Sequence, residues 1–179
     1  FPNVPGNVSN PENPRVFDSM VEHARHVDAD IAVATDPDCD RIGCSAPLTM
    51  AQDSEWDTLS GNQIGALLAD HVLETRQQAG SLSAENFIVT TLVTTQLIRR
   101  IADSYGVRTI GDLLVGFKWI AGAIDEFGAD KFLYGTEESH GYMAGQHVRD
   151  KDGAAGALLL CELAARLKAN RQTLHEKLD

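Results

Sequence analysis

The chain has 179 residues, 43% of them hydrophobic and 6% aromatic, enough for one sizeable core or for one domain with part of another. Its formal net charge of -11 excludes general nucleic-acid binding and docking on an anionic membrane, since both need a basic face, but it leaves room for an anionic small substrate where cations gather locally. Three cysteines (Cys39, Cys44, Cys161) form no CxxC pair and read as reduced thiols of a cytoplasmic protein, and neither a signal peptide nor a membrane-spanning apolar run is present.

Asn13 and Pro14 open the first helix as cap and first-turn proline, and Val16, Phe17, Met20, Val21, Ala24 and Val27 then share one face. "DIAVAT" reads as a buried strand, and "RIGCSAP" as a second strand beyond a loop of aspartates. Residues 48 to 60 are polar and unpatterned, which marks them as the candidate domain boundary. Ser60 caps the next helix, whose stripe is Ile64, Leu67, Leu68 and Val72. "NFIVTTLV" is a strand, and Leu97, Ile98, Ile101, Ala102 and Tyr105 mark another amphipathic helix. "VRTIG" is a short strand, residues 116 to 127 a helix, and "KFLYG" a strand leading into the loop "GTEESHGYMAGQHVRDKDG". A helix over about residues 153 to 168 is apolar nearly all round and is expected to be buried. Alternating strands and helices imply a layered α/β domain.

The two ends carry information too. Phe1 opens irregular Pro/Gly/Asn-rich sequence, and the capping box "TLHE" (Thr173 to Glu176) starts a helix that stops at Asp179, too short to stand alone. The chain therefore reads as a piece of a longer protein.

Asp36, Asp38 and Asp40 fall at alternate positions in "DPDCDR", where three carboxylates can converge on a hard divalent cation such as Mg²⁺. Without a cation their mutual repulsion raises at least one pKa. An ordinary solvated acidic turn is the competing reading. A calcium-binding EF-hand is excluded, because its glycine and glutamate positions hold Arg41 and Pro47 and a strand precedes the loop. Arg41 beside the carboxylates suits a phosphate oxygen, which a guanidinium grips with two bonds.

"DPDCDR" resembles the metal loop of the α-D-phosphohexomutase superfamily, the phosphoglucomutases and phosphomannomutases. "SNPENP", "GNQIGALL", "TTLVTTQLIRRIA", "LVGFKWIAGAI", "GTEESHGYM" and "VRDKDG" resemble further segments of that family, in the family's order. The resemblance implies a three-layer α/β/α domain with a mixed sheet, preceded by part of a second α/β domain. It divides the chain into residues 1–58 (the C-terminal part of domain 2 with the metal loop), 59–172 (domain 3 with the sugar-binding loop) and 173–179 (the truncated start of the next helix).

By resemblance, Asp36, Asp38 and Asp40 are Mg²⁺ ligands and Arg41 contacts substrate or the phosphoryl group, while Cys39 fills a variable place. Glu137 and Ser139 hold the 3- and 4-hydroxyls of a hexose, with Glu138 supporting the loop. His140 stands where an aromatic residue is usual, either stacking on the sugar, titrating near neutral pH or idle in the loop. Arg149, Lys151 and Lys118 supply positive charge. Lys151 orients phosphate or serves as a base, the latter requiring a pKa depressed by a neighbour such as Arg149.

The family moves a phosphoryl group between the 1- and 6-positions of a hexose, through a phosphoserine and a hexose 1,6-bisphosphate. Nothing here resembles the family's serine segment in domain 1 or its phosphate-binding loop in domain 4. The implied partners are thus sugar phosphates and the missing domains 1 and 4, and the fragment alone is expected to be inactive. Phosphoglucomutase is favoured over phosphomannomutase and phosphopentomutase by the "EES", "GFKWI" and "RDKDG" segments. An aspartyl-phosphate phosphatase and a non-catalytic sugar-phosphate-binding module are the rival classes.

Overall fold

After a single 3₁₀ turn at Pro5–Asn7, the first longer helical segment begins where the sequence places a cap. In the computed structural model, which describes residues 4–179, the Asn13 side chain accepts from the Arg15 amide. The first turn, Pro14–Phe17, is wound as a tight 3₁₀ turn, and α1 (Asp18–His26) starts only after it. The irregular opening expected from Phe1 falls partly on residues 1–3, outside the described residues. Phe17 and Ala24 face inward as expected, whereas Val27 lies beyond the helix end and is exposed.

β1 (Ala32–Thr35) is an edge strand with only Ala32 buried, where a fully buried strand was expected. It pairs antiparallel with β2 (Ile42–Pro47), which in turn pairs antiparallel with β3 (Trp56–Leu59). β3 corrects the reading of residues 48–60 as unpatterned: its four residues are too few for a visible alternation, and β2 supplies the hydrogen bonds that order it. Ile42, Cys44 and Ala46 of β2 belong to the same buried cluster as Leu59, Ile64, Leu68, Leu160 and Leu174, so one apolar core spans both sides of the polar stretch.

α2 (Gly61–Gln78) begins at a capping box, the Ser60 hydroxyl accepting from the Gln63 amide and the Gln63 side chain from the Ser60 amide. Its buried stripe of Ile64, Leu67, Leu68 and Val72 contributes about 1.5–3 kcal/mol for each side chain removed from water. β4 (Phe87–Thr91) follows, then α3 (Gln96–Ser104), β5 (Arg108–Leu113), α4 (Phe117–Phe127), β6 (Phe132–Glu137) and β7 (Gly141–Ala144). The second sheet runs β5-β4-β6-β7, with β4 parallel to β5 and β6 and with β7 antiparallel to β6. Ile88, Tyr134 and Tyr142 pack toward α2, α3 and α5 on one face, and Phe87, Val89, Phe132 and Met143 toward α4 on the other. The result is the expected α/β/α sandwich with a mixed sheet.

In the segment read as one long loop from residue 135, residues 135–144 belong to the β6–β7 hairpin, and only residues 145–152 are loop. α5 (Gly153–Ala169) also departs from expectation. It buries only the face carrying Gly156, Leu160, Leu163 and Leu167, while Leu158 is 71% exposed. Alanines at 154, 155, 157, 164 and 165 made the helix look apolar all round, although an exposed alanine costs little. α6 (Leu174–Leu178) is held by its Thr173–Glu176 capping box, with the Thr173 hydroxyl donating to Leu48 O at 3.2 Å. Among the described residues, no helix is long and apolar enough to cross a membrane.

Candidate functional site: the aspartate loop and the β6–β7 turn

The aspartate loop is the turn between β1 and β2. Thr35 and Ile42 pair across its base, and Cys39 takes φ +59°, donating its amide to Asp36 O at 3.1 Å. This folds the loop so that one carboxylate oxygen from each of Asp36, Asp38 and Asp40 lies within 4.8 Å of the others. Asp36 is 4% exposed, Asp40 half-buried and Asp38 exposed. Three hard oxygen donors at this spacing suit a small divalent cation such as Mg²⁺, which tolerates water in its remaining positions.

Cations of the chain already interleave with these carboxylates. Arg41 donates its backbone amide (3.1 Å) and its Nε (2.7 Å) to Asp36, and its Nη1 reaches Glu12 at 2.6 Å. Burial pushes the Asp36 carboxyl up, but the bonds from Arg41 outweigh it and hold the group below the usual range. Asp40 moves the other way: burial, together with the Asp36 charge, raises it despite the Lys151 ammonium at 2.9 Å. The repulsion expected from the sequence thus falls on Asp40.

Lys151 also bonds Asp150 at 3.0 Å and lies 5.2 Å from the centre of the Phe117 ring. Burial pulls its pKa down, but the bonds to Asp40 and Asp150 outweigh that and raise it. The sequence leaves Lys151 either to orient phosphate or to act as a base depressed by Arg149; here its two carboxylate partners raise its pKa, and Arg149 bonds elsewhere. Arg149 sits against Asp125 of α4 (3.3 Å) and donates to the carbonyls of Gln146 and Val148. Lys151 is therefore a standing positive charge at the edge of the loop. Lys118 is exposed on α4 with its ammonium over the Trp119 ring, 5.2 Å away, and makes no contact with the aspartate loop.

The second half of the site is the β6–β7 turn. Glu137, the last residue of β6, is buried, and its Oε1 accepts from the Gly116 amide at 2.5 Å. Burial raises its pKa, opposed by the Gly116 bond and the Lys151 charge. Glu138 accepts from the Thr91 hydroxyl at 3.2 Å, and Ser139 is half-buried in the turn. His140 is 6% exposed and adopts φ +66°, and its ring Nδ1 lies 3.0 Å from Ile42 O, so it does not present a face to a ligand. An isolated bridge between Arg41 and Gly141 brings the turn alongside the aspartate loop.

Two glycines make this approach possible, each at the first residue of a helix. The Cβ of any other residue at Gly61 would stand 1.9 Å from Glu138 O, and at Gly153 it would stand 2.4 Å from Cys39 O. The N-termini of α2 and α5 thus serve as seats for the hairpin turn and the aspartate loop. Reading by sequence missed both seats, along with Glu12 and Phe117. Glu12 was legible as part of "SNPENP", but nothing local in the sequence says that it meets Arg41 twenty-nine residues on.

The folded body carrying this site is that of a sugar-phosphate mutase domain: residues 60–179 match the family model "Phosphoglucomutase/phosphomannomutase, alpha/beta/alpha domain III". Residues 1–48 match the corresponding domain II, and the chain therefore belongs to the phosphoglucomutase/phosphomannomutase family, within the α-D-phosphohexomutase superfamily. It is 35% identical over 173 residues to a phosphoglucomutase of Staphylococcus haemolyticus, covering 95% of this chain and 30% of that protein. It is 33% identical over 172 residues to a phosphoglucomutase of Staphylococcus aureus, covering 96% of this chain and again 30% of that protein. The chain thus spans about 30% of the length of these curated relatives. Among solved structures, a Thermus thermophilus protein assigned as a phosphomannomutase superposes with TM-score 0.71 at 26% identity, over 95% of this chain and 34% of that one. Parafusin, a phosphoglucomutase from Paramecium, shares the fold with TM-score 0.60 at 18% identity, over 84% of this chain and 24% of that one.

Proposed function

We propose that the chain works as part of a phosphohexomutase, phosphoglucomutase first among the alternatives, which interconverts hexose 1- and 6-phosphates through a phosphoserine and a hexose 1,6-bisphosphate. Residues 1–58 are the metal-loop part of domain 2, residues 59–172 are domain 3, and residues 173–179 begin the next segment. Domains 1 and 4 supply the serine and the phosphate clamp. The observation that carries the reading is the convergence of Asp36, Asp38 and Asp40 with Arg41 and Lys151, one backbone bridge from the turn bearing Glu137 and Ser139.

Asp36, Asp38 and Asp40 would hold a magnesium ion, which would neutralise charge on the transferring phosphoryl group. The work left to the protein is positioning and electrostatics. Arg41 is clamped at Nε by Asp36 and at Nη1 by Glu12, so its guanidinium plane is set before a phosphate oxygen arrives. Lys151 adds a second cation whose raised pKa keeps it charged at neutral pH. Glu137 lies on a rigid strand end, where a carboxylate can accept from a sugar hydroxyl, and Ser139 extends the same turn. Lys118, exposed on the first turn of α4, and Arg149, paired with Asp125, add positive charge for the substrate's phosphate. The reading also places the protein in the cytoplasm, supported by the three unpaired cysteines.

The test is turnover by the intact protein with Mg²⁺. Conversion of glucose 1-phosphate is expected to exceed that of mannose or pentose phosphates, and to be abolished by Asp40→Asn. Faster turnover of mannose 1-phosphate would move the assignment to phosphomannomutase. Failure to convert any of the three overturns the mutase reading.

A further inference from the structure

We infer that His140 is a positioning residue, a latch that locks the aspartate loop to the β6–β7 turn; it rests on the mutase reading above only for its effect on turnover. The Ile42 amide donates to His140 O at 3.2 Å, and His140 Nδ1 lies 3.0 Å from Ile42 O. A carbonyl oxygen only accepts, so Nδ1 carries the proton and donates. The two bonds close a ring between residues 42 and 140, with the imidazole standing in for the backbone amide that a second strand would offer.

The backbone of His140 is shaped for this. Its φ of +66° lies in the left-handed region, where His, Asn and Asp are several-fold enriched, and it turns the side chain back over the residue it must reach. The ring is buried, so a bond left unmade there would cost the full desolvation of Ile42 O. The Ile42 amide bond to His140 O is itself part of the Arg41–Gly141 bridge between the three-stranded and four-stranded sheets, so the imidazole adds a second bond at that one register point.

The placement is what gives the latch a role. Ile42 follows directly on Asp40 and Arg41, and His140 follows directly on Ser139, in the same turn as Glu137. The latch therefore sets the distance between the groups proposed to hold the phosphoryl end and those proposed to hold the hydroxyls of the same sugar phosphate. Each loop can bind its own end without the latch, whereas aligning the two ends for transfer needs both loops in register.

Nitrogen-15 NMR of the 179-residue chain decides the latch without any substitution. Nδ1 is expected to be protonated and Nε2 bare; the opposite tautomer overturns the inference. His140→Phe fills the same space without a donor, and should speed exchange of the Ile42 amide about ten-fold while leaving the amide of Val89, in the central strand β4, unchanged. His140→Asn places an amide nitrogen where Nδ1 stood and tolerates the same φ, so it should restore protection. Equal Ile42 exchange in all three proteins overturns the inference.

In the intact protein, His140→Phe should lower kcat about 100-fold with KM within about three-fold, and His140→Asn should recover most of the loss. An unchanged kcat in the Phe variant refutes the positioning role. If the NMR and exchange results hold while the intact protein turns over no hexose phosphate, the latch stands and the mutase reading falls.

Discussion

Gly61→Ala is the sharpest test of how the hairpin turn is seated. The added methyl would stand 1.9 Å from Glu138 O, 2.8 Å from Glu138 C and 2.9 Å from the His140 amide nitrogen. All three are backbone atoms, so no side-chain rotation relieves the clash. A Cβ needs about 3.0 Å at least, which requires the turn or the start of α2 to move by roughly 1 Å. The helix resists, because the Ser60–Gln63 capping box fixes its first turn and the Tyr142 hydroxyl donates to Gly61 O at 3.1 Å. Overpacking of this kind costs about 1–3 kcal/mol. A displacement of about 1 Å in groups that position a substrate costs about 100-fold in turnover. Urea unfolding of the 179-residue chain measures the first quantity, and turnover by the intact protein the second. Gly122→Ala on α4 is the control: its methyl meets nothing within 4 Å, so it should gain about 0.5–1 kcal/mol. If Gly61→Ala unfolds at the same urea concentration as the unsubstituted chain, the close seating of the turn on α2 is wrong.

Two further outcomes follow from burial. Cys39 and Cys161 are exposed, whereas burial pushes the Cys44 thiol far above its ordinary range. A disulfide exchange reagent should therefore titrate two thiols in the folded chain and a third only on unfolding; rapid reaction of all three would contradict the β2 packing. Glu137→Gln should stabilise the chain at pH 7, since a buried carboxylate is replaced by a neutral group whose carbonyl still accepts from Gly116. The folded pKa of Glu137 lies above its unfolded value, so ionisation costs stability at neutral pH and that cost disappears as pH falls through the folded pKa toward 4.5. The variant's advantage should shrink over the same window, and an advantage independent of pH would assign it to something other than ionisation. Hexose-phosphate binding should weaken about 10- to 100-fold in the variant, because a charge-assisted acceptor is lost.

What the sequence made legible follows the range of the interaction involved. The Ser60 cap and the Thr173 capping box are contacts three residues long, and both form as read, the Ser60 cap closing into a box with Gln63. The helical stripe of α2 and the aspartate loop are likewise local patterns. β3 escaped notice because four residues ordered by a partner strand carry little pattern of their own. The β6–β7 hairpin was hidden for a related reason, as its turn holds Glu, Ser and a histidine at positive φ where a glycine or asparagine would have signalled the reversal. The partners of the site residues were the least legible. Glu12 for Arg41, Asp40 and Phe117 for Lys151, Asp125 for Arg149 and Ile42 for His140 all join distant parts of the chain.

That distance has a kinetic side. The His140–Ile42 ring closes a loop of 98 residues, and α6 reaches back 125 residues from Thr173 to Leu48. Closing contacts of such separation costs more chain entropy than forming helices or hairpins, so they are expected to slow folding. Asp36, Asp38 and Asp40 share one local loop, yet the lysine beside Asp40 comes from beyond the β6–β7 hairpin, so the charge that would surround a cation there is set only once distant segments have met.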